Sequence, residues 1–214
     1  LQLIGEGKPI IHQPGTKGWS GLSLPWMAFG YGVSLTPLQT LSLYNAVAND
    51  GVMVKPLFVK EIKEWNTTVK KFETEIIHPK IASDETLDKV RKVLENVVKR
   101  GTGSKLYSKD FSMAGKTGTA QVNYKDKSKL FYASSFVGYF PADQPKYSCI
   151  VVVHKPNVAA GYYGADVAGP VFKRIAQKIY TDSPPTNHIK NIDAKVNSLE
   201  SNYASYYKKT QIES

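Results

Sequence analysis

The chain has 214 residues, 42% of them apolar, and its only cysteine, Cys149, excludes an internal disulfide bond and a zinc site built on cysteines. Its 28 basic and 18 acidic residues give a net charge of +10, which indicates a solvated, mildly basic surface and would also suit an anionic cell-wall polymer. Nucleic-acid binding is not expected, because basic residues do not alternate with aromatic ones, and the widely spaced histidines predict no metal site.

The first third of the chain is predicted to contain an irregular segment, a helix and a hairpin. Residues 1–35 are rich in glycine, proline and tryptophan and show no sustained period, which is typical of an ordered but irregular loop. Thr36 can cap a helix, Pro37 fits its first turn, and Gly51 is a stop signal. From Val52 to Ile77, β-rich stretches separated by WNTT predict a solvent-facing hairpin.

A second helix and three strands are predicted in the middle of the chain. Apolar residues share one face from Ser83 to Lys99, acidic residues occupy the first turn, and Gly101 ends the pattern. Three β-rich segments follow, with connections short enough for neighbouring antiparallel strands. We therefore predict an antiparallel meander over residues 112–122, 131–140 and 147–154.

The last part of the chain is predicted to contain a third helix and a separate tail. Valine and isoleucine repeat at four-residue steps from Asp166 to Tyr180, which predicts a helix. TDSPPTN is typical of a linker, and the apolar residues after it follow heptad spacing. We therefore divide the chain into residues 1–180 and a C-terminal unit, residues 181–214, whose helix packs on the body or on a partner chain; a disordered tail is the alternative.

The stretch GKTGTAQV, from Gly115 to Val122, places a lysine and two threonines on one predicted strand. At an exposed strand edge, such residues can bind a carboxylate, and a glycine lets a substrate backbone approach closely. The backbone N–H of Thr119 could point at a carbonyl oxygen that becomes negative during acyl transfer. The motif is short, however, and its alternative interpretation is a strand with a solvent-facing lysine.

Longer stretches in the same order resemble the class B penicillin-binding proteins, the monofunctional transpeptidases. GKTGTAQV resembles the third active-site motif of penicillin-binding proteins and serine β-lactamases. Over about residues 1–180, successive parts of the transpeptidase domain are similar to MAFGYGVSLTPLQTLSLYNAVANDGVMVKP, LENVVKRGTGSKL, SSFVGYFPADQPKYSCIVVV and AGPVFKRIAQKIY. The resemblance implies an α+β fold, an antiparallel sheet flanked by helices, as an incomplete β-lactamase/transpeptidase-like domain.

The resemblance also implies roles for the motif residues in a D,D-transpeptidase, which cross-links peptidoglycan stem peptides through a serine acyl-enzyme and is acylated by β-lactam antibiotics. Lys116 would attract the terminal carboxylate of the stem peptide and help to organise protons. Thr117 and Thr119 would offer hydroxyls to that carboxylate, and Gly118 would admit the substrate. The Thr119 N–H would form half of the oxyanion hole, so the expected catalytic residues are Lys116 and Thr119, without metal or other cofactor.

The chain departs from the family pattern because no S-x-x-K nucleophile motif and no S-x-N motif precede the lysine strand. The string from Ser205 to Lys208 fits S-x-x-K, but it lies in the tail, and we interpret it as coincidence. We therefore expect that this chain forms one wall of an active site and lacks the nucleophile. By itself, the chain should be inactive. Apolar surface left open by the truncation would favour self-association.

Two alternatives stay open at this stage. A carboxypeptidase or β-lactamase relative would pass the acyl group to water, and a non-catalytic scaffold would keep the fold for partner binding. The SLTPLQ helix and the long connection before the motif favour the transpeptidase. The family implies a parent anchored by an N-terminal membrane helix, with this domain on the periplasmic side, and a septal, cell-division role is preferred over elongation.

Overall fold

The computed structural model describes residues 5–123 and 130–182, to which all structural statements refer. Contacts divide the chain into two units, residues 1–173 and 174–214. The predicted tail helix and the Ser205 to Lys208 string lie outside the described residues, and the predicted boundary near residue 180 stays a prediction. The described part of the second unit, residues 174–182, is helical.

The first unit contains nine short to medium strands and all or part of five helices among its described residues, and one 3₁₀ turn, Ser104–Leu106, follows the third helix. The strands are β1 (Ile10–Ile11), β2 (Val33–Ser34), β3 (Met53–Val54), β4 (Glu61–Glu64), β5 (Thr67–Lys71), β6 (Ile76–His78), β7 (Ala114–Val122), β8 (Phe131–Phe140) and β9 (Tyr147–His154). The helices are α1 (Ser23–Ala28), α2 (Pro37–Ala48), α3 (Asp84–Arg100), α4 (Gly164–Val167) and α5 (Gly169–Asp182).

The central sheet has the strand order β7-β8-β9, and both pairs are antiparallel. This confirms the predicted meander. In β7, Lys116 lies opposite Val137 of β8, and Gly118 lies opposite Ser135. Each strand therefore pairs with the next one along the chain, as short connections require.

One face of the sheet packs against α2 and α3. Ala114 of β7 and Tyr139 of β8 are opposite each other and fully buried. They form a cluster with Val47 of α2 and with Leu87 and Leu94 of α3. Burial of each large apolar side chain stabilises the fold by about 1.5–3 kcal/mol, so this cluster holds the beginning of β7 firmly in the core.

The other face packs against the first residues of α5. The ring of Phe172 contacts Phe136 edge-on at a centroid distance of 4.8 Å and Phe140 at 5.7 Å. Gly169 lies so close to Leu106 that a Cβ there would come within 2.7 Å of its Cδ1. Helices therefore flank both faces of an antiparallel sheet, which confirms the α+β fold class.

The first two predicted helices are present, and their caps explain where they begin. Thr36 Oγ1 accepts a hydrogen bond from the Gln39 N–H at 3.1 Å, and Gln39 Oε1 accepts from the Thr36 N–H at 3.0 Å. This capping box, followed by Pro37, begins α2. Ser83 Oγ likewise accepts from the Thr86 N–H at 3.3 Å at the start of α3.

Two predictions differ from the structure. The third helix is not continuous from Asp166, because α4 ends before Ala168 and α5 begins at Gly169. Pro170 has no N–H, and its ring would clash with the carbonyl of residue 166 in one continuous helix. Residues 1–35 are not wholly irregular either, since they contain α1 and the antiparallel β1–β2 pair.

The predicted hairpin is confirmed as β4–β5. Every residue of the two strands is exposed, and Trp65 in the turn is 95% exposed with φ of 54°. No helix in the described ranges combines the length and the apolar character needed to span a bilayer.

Candidate active site

The motif lysine lies on an edge strand with its side chain at the surface. Within the described ranges, β7 pairs with β8 alone, so its other edge faces no strand. Lys116 is exposed, and its Nζ donates a hydrogen bond to the Thr117 carbonyl at 2.7 Å. An exposed ammonium that donates to a neighbouring backbone carbonyl can turn to a ligand carboxylate at low cost.

The first motif threonine is oriented by a residue from another loop. The hydroxyls of Thr117 and Thr102 are 2.9 Å apart, and Thr102 lies two residues beyond the end of α3. Sequence reasoning used the GTGSKL stretch only as part of the resemblance and missed this contact. No pattern within the sequence pairs residues that are fifteen positions apart across a turn.

The second motif threonine is oriented by the start of α4. The Gly164 N–H donates to Thr119 Oγ1 at 3.0 Å. A hydroxyl that accepts in this way keeps its own proton for donation. Thr119 can therefore offer a hydrogen bond to an anionic group, as the motif predicts, with its oxygen fixed in place by the protein backbone.

Two glycines allow this close packing. A Cβ on Gly164 would lie 2.3 Å from the Ser135 carbonyl oxygen and 2.5 Å from that of Gly118. A Cβ on Gly118 would lie 2.5 Å from Ser135 Oγ. Gly118 was predicted from its place in the motif, whereas Gly164 was not, because its role depends on a contact between distant segments.

An ion pair and a group of aromatic rings support the same region. Lys105 Nζ lies 2.7 Å from Asp166 Oδ1, which joins the loop after α3 to α4. The ring of Tyr162 stacks on Tyr132 at 4.2 Å and lies 4.4 Å from Tyr163. The hydrogen bond between the Tyr162 and Tyr163 hydroxyls raises the pKa of Tyr163.

Behind these rings, the segment before α4 is anchored to the sheet. Fully buried Ser134 of β8 donates from Oγ to the Tyr162 carbonyl oxygen. Ser134 lies opposite Thr119, so the same pair of sheet positions holds both Tyr162 and Gly164. The turn that orients the Thr119 hydroxyl is therefore attached to the sheet at two points.

A groove meets β7 at Gln121, five residues beyond Lys116. Its volume is about 590 Å³, and its other wall comes from the segment between His12 and Gly32, including Trp26 and Tyr31. Sequence reasoning assigned that segment to an irregular loop and missed the groove. The aromatic residues were visible in the sequence, but their position beside β7 was not.

The described residues offer little for a metal. Between residues 5 and 123 and between 130 and 182, no three His, Cys, Asp or Glu side chains form a group that could hold an ion. The predicted site residues Lys116, Thr117, Gly118 and Thr119 are together because they are consecutive on β7. The fold adds Thr102 and Gly164 to them.

Comparison with known proteins gives consistent matches. The family described as "Penicillin binding protein transpeptidase domain" matches residues 9–177. Peptidoglycan D,D-transpeptidase FtsI of Buchnera aphidicola subsp. Baizongia pistaciae is 35% identical over 84% of this chain, and Stage V sporulation protein D of Bacillus subtilis is 36% identical over 95%. The chain spans 30% of the length of each of these two relatives.

Solved structures of similar proteins share the fold. The transpeptidase domain of Burkholderia pseudomallei penicillin-binding protein 3 is 27% identical, with a TM-score of 0.61 over 82% of this chain and 51% of that one. A peptidoglycan synthetase from Bifidobacterium adolescentis, 22% identical, has a TM-score of 0.72 over 86% of this chain and 34% of that one, which shows likeness of fold.

Proposed function

This chain belongs to the transpeptidase family of the class B penicillin-binding proteins, and we propose that it forms the lysine-strand wall of a peptidoglycan D,D-transpeptidase site. The observation that carries the proposal is the arrangement on β7. Lys116 is exposed at a strand edge, and Thr119 three residues later has its hydroxyl oriented by the Gly164 N–H. Along this edge the strand therefore offers a cation and a hydroxyl donor for a ligand that carries a carboxylate.

In the proposed complex, the terminal carboxylate of a stem peptide binds Lys116, with hydroxyls from Thr117 and Thr119. Gly118 lets the peptide backbone approach the strand. The carbonyl carbon of the D-Ala-D-Ala bond then lies near the Thr119 N–H, which stabilises the negative charge that develops on its oxygen. One such donor contributes about 3 kcal/mol of transition-state stabilisation.

The covalent steps need a serine that we propose comes from another part of a longer polypeptide. Its oxygen attacks the carbonyl carbon, the peptide C–N bond breaks, and D-alanine leaves with the proton on its nitrogen. An amine of a neighbouring glycan strand then attacks the ester carbon, the ester C–O bond breaks, the cross-link forms, and a proton from the amine goes to the serine oxygen. β-Lactam antibiotics would acylate the same serine.

The proposal extends to the surroundings of the enzyme. Peptidoglycan lies outside the cytoplasm, so we place this domain on the periplasmic side, attached to a membrane-anchored parent and acting at the septum. Leu24 and Phe29 are large apolar side chains outside the lining of the groove at Gln121, and they are 67% and 83% exposed. Such surface favours contact with the rest of the enzyme or self-association, which light scattering on the isolated chain measures.

The test is substitution of the motif lysine in the full-length protein encoded by the gene. Lys116→Ala should lower acylation by a fluorescent penicillin by about a hundredfold or more, because the carboxylate loses its cation. Melting should not change, since an exposed lysine contributes little to stability. Lys63→Ala on the exposed hairpin is the matched control and should acylate normally. A collapse of melting with normal acylation would make Lys116 a structural residue.

A second measurement uses the 214-residue chain itself. Without the S-x-x-K serine, it should give no penicillin-labelled band on a denaturing gel, whereas the full-length protein should give one. A labelled band from the 214-residue chain would contradict the assignment of the nucleophile to another part of the enzyme.

A further inference from the structure

We infer that the groove at the end of β7 binds the amino sugar that carries the stem peptide, so that the site recognises glycan as well as peptide. The inference rests on the proposed function and extends it to a second part of the same substrate. The groove is the cavity of about 590 Å³ between residues 12–32 and Gln121.

The direction of the strand determines which end of the substrate reaches the groove. Ala114 and Gly115 are buried, so a peptide bound at Lys116 cannot extend towards the beginning of β7. It must run towards Gln121, antiparallel to the strand, with its amino end leading away from Lys116. Addition of a peptide to a free strand edge is a common mode of recognition.

The distance also fits the length of a stem peptide. Lys116 and Gln121 are five residues apart on β7, which corresponds to about 17 Å at the rise of an extended strand. An extended pentapeptide has the same length. Because the stem peptide is joined to its sugar at the amino end, the sugar arrives at Gln121, where the groove begins.

The lining of the groove suits a neutral sugar. Trp26 and Tyr31 meet edge-to-face at 5.5 Å, and Trp26 is 53% exposed, so an aromatic surface is open to the apolar face of a sugar ring. His12, Ser20 and Gln121 add hydrogen-bonding groups for hydroxyls and an acetamido group. A few polar groups among aromatic walls are typical of small-molecule pockets.

The lack of charged residues in the lining favours a neutral sugar over a charged ligand. None of the described residues that line the groove is an Asp, Glu, Lys or Arg. An anionic polymer or a charged peptide side chain would find no counter-ion there. The sugar fits, because its only carboxyl group is consumed in the amide bond to the peptide.

Local structure holds the aromatic wall in place. After α1, the Tyr31 N–H donates to the Trp26 carbonyl at 3.0 Å, which turns the chain back on itself. Gly30 and Gly32 have φ of 90° and 73°, a backbone conformation that favours glycine. The groove wall is therefore formed by hydrogen-bonded structure before any ligand binds.

Titration calorimetry on the 214-residue chain tests the inference with two probes, a stem pentapeptide ending in D-Ala-D-Ala and the same peptide joined to N-acetylmuramic acid. The sugar-bearing probe should bind about tenfold more tightly. Trp26→Ala should reduce that ratio and leave the affinity for the bare peptide unchanged, and Gln121→Ala should also reduce the ratio. Trp65→Ala, which removes an equally large exposed ring that does not line the groove, should keep the full ratio.

Equal binding of the two probes to the unmodified chain would overturn the inference, and so would a full ratio in both groove variants. Lys116→Ala distinguishes failure of this inference from failure of the proposed function. It should weaken both probes equally and leave their ratio unchanged. If Lys116→Ala binds the bare peptide normally, the carboxylate role is wrong, while the ratio still reports on the groove.

Discussion

The β7-β8-β9 sheet and the β4–β5 hairpin are built from the same kind of ladder, but only the sheet is packed. Every strand residue of the hairpin is exposed, whereas Phe136, Tyr139 and Phe140 of β8 are buried between helices. An isolated two-stranded hairpin is marginally stable in water. The position of the hairpin therefore depends on its own hydrogen bonds, and that of β7 depends on the core.

This difference shows how β7 can be fixed in place and still present an exposed edge. It begins at fully buried Ala114 and reaches exposed Lys116 and Thr119 within five residues. The buried end sets the position of the exposed groups. A strand like those of the hairpin could carry the same residues but could not hold them in one place.

The largest expected effect is on the free energy of unfolding, and it is tested by removing one aromatic side chain from each region. Phe136→Ala removes a fully buried ring that packs on Phe172, and should lower the free energy of unfolding by about 3–5 kcal/mol. Trp65→Ala in the hairpin turn should change it by about 0.5 kcal/mol or less. Urea unfolding measures both. Similar losses in the two variants would show that the hairpin is packed as tightly as the sheet.

The next effect tests the contact between α4 and β7. Gly164→Ala forces a Cβ against the Ser135 and Gly118 carbonyls and should cost up to about 3 kcal/mol. In the full-length protein it should also reduce penicillin acylation, because the Thr119 hydroxyl loses its fixed donor. Gly21→Ala is the matched control, since its Cβ would meet nothing within 4 Å. Normal stability and acylation in Gly164→Ala would contradict this contact.

A third prediction uses the pH dependence of stability in the core. Burial raises the pKa of Tyr139 from 10 to about 12. Between these values the folded protein keeps the phenol proton and the unfolded chain has lost it, so stability should fall as pH rises, by about 1.4 kcal/mol per pH unit. Tyr139→Phe should abolish that part of the slope.

The same variant should cost little at neutral pH. Within the described part of the chain, the buried Tyr139 hydroxyl has no hydrogen-bond partner, so its removal leaves no other group unpaired. Denaturant unfolding at pH 7 and at steps between pH 10 and 12 measures both effects. Equal slopes for the two proteins would show that the phenol is not held in the core.

The smallest effect concerns the Thr102–Thr117 pair. Thr102→Val removes a hydroxyl 2.9 Å from Thr117 Oγ1 and should cost about 1 kcal/mol, with Thr102→Ser restoring most of it. Thr68→Val in the hairpin, which removes an exposed bond to Glu61, should cost less. Thermal melting compares the three variants. A larger loss in Thr68→Val would reverse the ranking of the two regions.

Much of the fold could be predicted from the sequence because its signals are local. Thr36 and Pro37 indicate where α2 begins. The short polar connections after α3 allow only neighbouring antiparallel strands. The break before α5 could also have been predicted, since Pro170 is incompatible with one continuous helix. The α4 turn itself could not, because its position depends on packing against β7 and β8.

The sequence by itself determined the order of the strands and the lysine, threonine and glycine of the motif, since consecutive residues on one strand need no folding to be neighbours. Only the tertiary structure decided which distant groups join them. Thr102 and Gly164 reach β7 through hydrogen bonds between separate segments, and the Trp26–Tyr31 wall lines the same groove as Gln121. Such contacts follow from the burial of both sheet faces, which no local pattern records.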